Sequence, residues 1–156
     1  MNKPTLLYHA SPKINVDKLE PRNEFPRFTG ENNLVFATEH LTLAAMFLTP
    51  RDIPIEISVY GEKYVIFINA DEAEYALKDE GGAIYTLPSA TFEVDPSIGM
   101  GTNEWSSKLP VRPISKTIFK SSIEAMDFYG VTRYFVDDVT MKKIRANPAN
   151  ALDLMY

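Results

Sequence analysis

Two histidines, His9 and His40, and no cysteine set the first limit on the chemistry this sequence can carry. A thiolate nucleophile, a thiolate metal site and a disulfide framework are all excluded. A histidine-based metal centre would need carboxylates at helical or hairpin spacing beside the imidazoles, as in His-Glu-x-x-His. That spacing is absent, so no metal site is expected. The chain also lacks Gly-x-x-x-x-Gly-Lys-Ser/Thr, Gly-x-Gly-x-x-Gly behind a strand and Gly-x-Ser-x-Gly, which leaves a phosphate cradle or a serine elbow without support. What remains is a set of short segments: Leu7-Tyr8-His9-Ala10-Ser11-Pro12, then Leu34-Val35-Phe36-Ala37-Thr38 running into Leu43-Ala44-Ala45, then Asn103-Glu104-Trp105-Ser106. His9 and Glu104 are their ionisable members.

These residues need elements to position them. Thr5 to Tyr8 is a β-prone run that stops at His9-Ala10-Ser11-Pro12, where the proline removes a ladder donor, so His9 is expected at the end of a first strand. Lys13 to Asn33, with Pro21, Pro26 and Gly30, reads as a long loop carrying Arg22 and Arg27. Leu34 to Ala37 is a second short strand, after which Thr38 is the expected N-cap of a helix running to about Leu48, with Phe47 near its end. Ile55 to Tyr60 alternates with period two, Gly61-Glu62 turns the chain into Tyr64 to Ile68, and Asp71 caps a short helix to about Leu77.

Gly81-Gly82 punctuates the chain before a strand at Ala83 to Leu87, and Gly99 and Gly101 precede another at Asn103 to Ser106. Val111 to Phe119 reads as a strand, Ser121 to Glu124 as a capping box, and Thr132 to Val136 with Val139 to Ile144 as a final β pair. About eight short strands and three short helices in no regular βαβ order predict an α+β fold of two packed, mostly antiparallel sheets.

The length of 156 residues predicts one domain spanning 1–156. Sixteen basic against twenty-one acidic residues give a net charge of −5, which argues against a general grip on phosphate backbones. No run reaches the roughly 18 apolar residues of a membrane span and no signal-peptide pattern opens the chain, so no membrane partner and a cytoplasmic location are expected.

Taken in order, the three segments resemble the motifs of the ADP-ribosyltransferase superfamily, which includes the poly(ADP-ribose) polymerases, the rifampin ADP-ribosyltransferases and the RNA 2′-phosphotransferases. Members place a histidine at the end of the first strand in a YHGS or YHGT context, an aromatic strand YFA before an alanine-rich helix, and a glutamate on a later strand in contexts such as NEY. The match covers roughly residues 5 to 120. It implies a split β-sandwich that binds NAD as substrate. On that resemblance His9 would hydrogen-bond a hydroxyl of the nicotinamide ribose, the backbone of Ala10 would meet the nicotinamide amide, and Ser11 belongs to the same motif. Glu104 would hold the ribose 2′-hydroxyl and stabilise the oxocarbenium-like charge that builds as nicotinamide leaves. Phe36, with Phe47 as a second candidate, would stack on nicotinamide. Arg22 and Arg27 would pair with pyrophosphate, whose oxygens match a guanidinium fork.

The sequence departs from the pattern at several positions. Ala10 stands for the family glycine, and Val35, or Phe36 after a slip of one residue, stands for the tyrosine. Thr102 occupies the place of the glutamate found in arginine-modifying members, so arginine is not implied as acceptor. Leu43, Ala44 and Ala45 bring no hydroxyl to the nicotinamide amide.

Each residue also has a plainer reading. His9 can be a structural histidine, Glu104 one solvent-facing residue of an alternating strand, Phe36 and Phe47 ordinary core, and Arg22 and Arg27 solvated. Two functional classes follow. One is an enzyme transferring ADP-ribose from NAD to a protein or nucleic-acid acceptor, or to water, of the size seen in toxins and phage or mobile-element proteins. The other is a non-catalytic binding or regulatory protein on the same scaffold; an unrelated α+β phage-type protein is a third possibility.

Overall fold

The computed structural model describes residues 3–21, 33–94 and 104–155. In chain order the elements are β1 (Leu6–Ser11), β2 (Val35–Ala37), α1 (Leu41–Met46), β3 (Ile55–Tyr60), β4 (Lys63–Ile68), α2 (Glu72–Lys78) and β5 (Gly82–Pro88). They continue with β6 (Phe92–Val94), β7 (Trp105–Ser107), β8 (Ser115–Phe119), α3 (Ser122–Phe128), β9 (Thr132–Phe135), α4 (Asp138–Ala146) and a 3-10 stretch over Pro148–Met155. The fold is α+β, as the element order predicts.

The described strands form three small sheets, in the orders β1-β5-β8, β2-β7-β6 and β3-β4-β9. All their pairings are antiparallel except β4 with β9. The first two sheets are joined where Tyr8 and Thr38 exchange backbone hydrogen bonds of 2.8 and 2.9 Å. This junction sets β2 between β1 and β7.

Burial explains why some strands alternate and others do not. Along β4, Ile66 and Ile68 enter one apolar cluster with α1 and α3, while Val65 and Phe67 enter another with Met141 and Ile144 of α4. Both faces are covered, so the run reads as continuous apolar sequence, and each such side chain contributes about 1.5–3 kcal/mol of burial. The β1–β5 pair is treated alike: Tyr8, Ala10 and Ile84 pack into the first cluster, and Leu7, Tyr85 and Leu87 into a third with Trp105. The side chains on each face come from every second position, as the pleat requires.

Four expectations from the sequence are corrected. β1 does not stop at His9 but runs on to Ser11, where the ladder with β5 still pairs Ser11 with Ala83, so His9 lies within the strand. Residues 139–144 are helical, within α4, because the Asp137 carboxylate accepts the Thr140 N–H at 2.8 Å as an N-cap, and Met141 and Ile144 then bury at helical spacing. The helix after β2 runs only from Leu41 to Met46 with His40 as N-cap; Thr38 pairs with Tyr8 and its hydroxyl accepts the His40 N–H at 3.1 Å. Of the run 111–119 only Ser115–Phe119 is strand, while Val111 makes an isolated bridge to Leu19. The caps at Asp71 and Ser121 stand where expected, accepting from Glu74 N and Glu124 N at 2.9 and 3.0 Å.

Gly81 and Gly82 are a steric requirement. Gly81 has φ +71°, and a Cβ there would strike the backbone of Phe119 to Ser121; one on Gly82, φ +155°, would strike Ser11 and Pro12. The two glycines let the α2–β5 connection press against β1 and the entry to α3.

Candidate functional site

Because β2 sits between β1 and the start of β7, segments far apart in the sequence meet at one place. His9 on β1 donates its Nδ1–H to the backbone oxygen of Phe36 on β2 at 2.5 Å. A carbonyl only accepts, so this bond places a proton on Nδ1, and whenever the ring is neutral Nε2 is its acceptor nitrogen. Glu104 directly precedes β7 and is buried, 7% exposed. The β2–β7 register pairs Ala37 with Trp105, and carried one residue further it sets Glu104 across from Thr38.

A cavity of about 540 Å³ opens here, within the usual range for small-molecule sites. Of the residues singled out in the sequence, His9, Ala10, Phe36, Phe47 and Glu104 border it. Phe36 is buried within β2, whereas Phe47, just past α1, is 38% exposed. Ser11 is not among the bordering residues, and its hydroxyl accepts the Lys13 N–H at 3.1 Å. Arg22 and Arg27 lie outside the described residues.

The cavity has further walls that sequence reasoning did not assign to it. Tyr8 and Thr38 come from the motif segments themselves. Thr49 and Arg51 come from the α1–β3 connection, Lys78 from the end of α2 and Glu80 from the α2–β5 connection, positions to which no sequence motif attaches chemistry. Lys78 is engaged, with Asp52 at 2.8 Å and Glu74 at 3.8 Å. Its hydrogen bond holds the Asp52 carboxyl below the usual carboxylate range and raises the lysine.

Behind this wall a chain of buried and part-buried polar groups locks three helices together. Asp79 accepts from Ser122 N at 2.7 Å, Ile123 N at 3.2 Å and Ser122 Oγ at 2.9 Å. With the serine proton committed to the carboxylate, the Tyr75 hydroxyl donates to Ser122 Oγ and keeps a long contact of 3.4 Å to Thr49 Oγ1. Thr49 gives its own proton to Met46 O at 2.7 Å. Burial pushes the Tyr75 phenol above its ordinary pKa.

The arrangement can do specific things. A buried carboxylate at a concave, largely apolar site can stabilise developing positive charge, and an imidazole with a fixed tautomer can take a hydroxyl proton as acceptor. Among the described residues no group of three or more histidine, aspartate or glutamate side chains could hold a metal ion, and no helix is long and apolar enough to cross a membrane. Comparison of the chain with protein-family models, curated proteins and solved structures gives no match.

Proposed function

We propose that this protein binds NAD in the cavity and transfers ADP-ribose from it to a macromolecular acceptor or to water. The observation that carries this reading is that His9 and Glu104, brought from opposite parts of the chain, border one cavity together with Phe36 and Phe47. In this role Nε2 of His9 takes a ribose hydroxyl, Glu104 stabilises the cationic ribose as nicotinamide leaves, and the two phenylalanines give the nicotinamide ring apolar surface.

A second reading, a non-catalytic ligand-binding protein on the same scaffold, is favoured by one observation. Val35, which stands for the family tyrosine unless the alignment slips by one residue to Phe36, is buried in the core and brings no aromatic ring to the cavity. The test is to incubate the purified protein with NAD and quantify free nicotinamide, with and without cell extract as a source of acceptors. Release above background supports the enzyme. NAD binding by calorimetry without release under either condition supports the binding protein, and no binding removes NAD from both readings.

A further inference from the structure

Among the described strands β8 ends its sheet, and Ser115, Lys116, Thr117 and Ile118 are all exposed. Which of their backbone groups face outward follows from β5. Tyr8 commits its backbone N–H and C=O to Thr38, so it exchanges no hydrogen bond with Thr86 opposite, and the even-numbered positions of β5 turn toward β8. The Thr86 carbonyl agrees, accepting the Ile114 N–H at 2.8 Å. Ser115, Thr117 and Phe119, opposite Thr86, Ile84 and Gly82, therefore bond inward, and Lys116 and Ile118 point their N–H and C=O groups off the free edge. Both ends of that edge are closed: Thr86 takes the Ile114 N–H, and the Glu124 carboxylate takes the Lys120 N–H at 3.2 Å.

An exposed edge is a template for strand pairing, and a lysine reaching across it is a usual guard. Here the guard is turned away. The Lys116 ammonium donates to Ile14 O and, at 3.1 Å, to Asn15 Oδ1. That loop lies over β5, where the Tyr85 hydroxyl donates to Lys13 O and accepts from Val16 N, so the charge sits back over the sheet. Apolar side chains stand beside the open edge: Ile118 is 51% exposed, and Phe128, with its ring 6.0 Å from that of Phe119, is 72% exposed.

We infer that β8 is a self-association edge, whose partner is a second copy of this chain paired antiparallel about a two-fold axis through Thr117. Register selects this occupant. Lys116 opposite Ile118 of the second copy, and Ile118 opposite its Lys116, matches every outward group of the edge with a free one. A shift in either direction fails. Lys116 opposite itself opposes like charges and sets Ile118 against Ile114, whose N–H is taken; Ile118 opposite itself sets Lys116 against Lys120, with the same two faults. In the matching register Thr117 faces its own copy, a favourable cross-strand pair, and Ile118 covers the aliphatic stem of Lys116. Two three-stranded sheets become one continuous sheet. The inference is independent of the NAD reading.

Sedimentation of the full chain over a concentration series reaching roughly 1 mM, as an interface below standard size requires, should show a monomer–dimer equilibrium. Ile118→Pro removes an outward N–H and leaves the bonds to β5, so it should keep the wild-type circular dichroism spectrum and sediment as a monomer. Because the chain has no cysteine, the register can also be read by cross-linking. Thr117→Cys sets two thiols face to face across the axis at a Cα separation of about 4.5 Å, within disulfide reach, whereas Lys116→Cys faces an isoleucine. Under mild oxidant the first should form covalent dimer roughly tenfold faster than the second. Wild type that stays monomeric throughout the series overturns the inference and leaves the edge to a partner of another kind. A dimer that Ile118→Pro leaves intact lies elsewhere on the molecule and overturns it as well. Should Ile118→Pro not fold, the cysteine pair decides: faster cross-linking at position 117 supports the pairing, and equal rates overturn it.

Discussion

The imidazole of His9 and the backbone oxygen of Phe36, 2.5 Å apart, tie β1 to β2 at the edge of the cavity. The bond is made by Nδ1, so it does two separable things: it holds the strands together, and it fixes the ring so that Nε2 is the nitrogen left for other partners. His9→Asn keeps a donor near the Nδ1 position and loses Nε2. It should therefore stay within about 0.5 kcal/mol of wild-type stability while NAD affinity falls. His9→Ala loses both functions and should cost about 1 kcal/mol in addition to affinity. Urea unfolding and calorimetry on the pair check this; equal stability of the two variants would show that the bond to Phe36 contributes nothing to the fold.

Asp79 carries a structural prediction of its own. Its carboxylate accepts from Ser122 N, Ile123 N and Ser122 Oγ, and so closes the N-terminal end of α3 against the α2–β5 connection that walls the cavity. Asp79→Ala strands these donors in a part-buried place and should cost about 2–3 kcal/mol. Thermal unfolding reads the loss. A change under 0.5 kcal/mol would mean that water replaces the carboxylate without cost.

Much of this frame was legible in the sequence. The covered run Val65 to Ile68, the alternation of Ile55 to Tyr60 and the caps Asp71 and Ser121 are local signals, and each stands where it was read. The misreadings have local causes too. Val139 and Ile144 are β-branched and suggested a strand, but Asp137 caps the segment as a helix and tertiary burial of Met141 and Ile144 settles it. Thr38 has the residue type of an N-cap, yet its backbone is taken by Tyr8, a pairing no local pattern announces. The site divides in the same way: His9, Phe36 and Glu104 lie within recognisable segments, whereas Lys78 at the end of α2, and Thr49 and Glu80 in connections, reach the cavity only through tertiary packing.

Tyr75 links the polar chain to pH. Burial raises its phenol pKa, so the folded protein favours the neutral form more than the unfolded chain does. Such a group contributes stability that is fully present below the ordinary tyrosine value of about 10 and is lost as pH rises through the higher folded value. Melting temperature should therefore fall on going above about pH 10, and Tyr75→Phe should reduce that fall. At neutral pH the same variant should cost about 1–2 kcal/mol, because Ser122 Oγ loses its donor. A Tyr75→Phe protein with the wild-type alkaline slope would place the titration in other tyrosines, of which Tyr64, Tyr85 and Tyr129 are also raised by burial.

The sharpest separation of enzyme from binding protein rests on Glu104. Glutamine keeps the shape and one acceptor oxygen but removes the charge, at a position that is buried and borders the cavity. If the carboxylate acts on a ribose that becomes cationic, Glu104→Gln should leave the fold and ground-state NAD affinity nearly unchanged. Turnover should fall on the order of 10²–10³, since the charge matters most in the transition state. If Glu104 only fills the wall, the same change should alter stability alone and leave turnover where it was. Melting temperature, NAD affinity and nicotinamide release, measured together on wild type and variant, distinguish the two, and equal release above background from both proteins would defeat the catalytic role of Glu104.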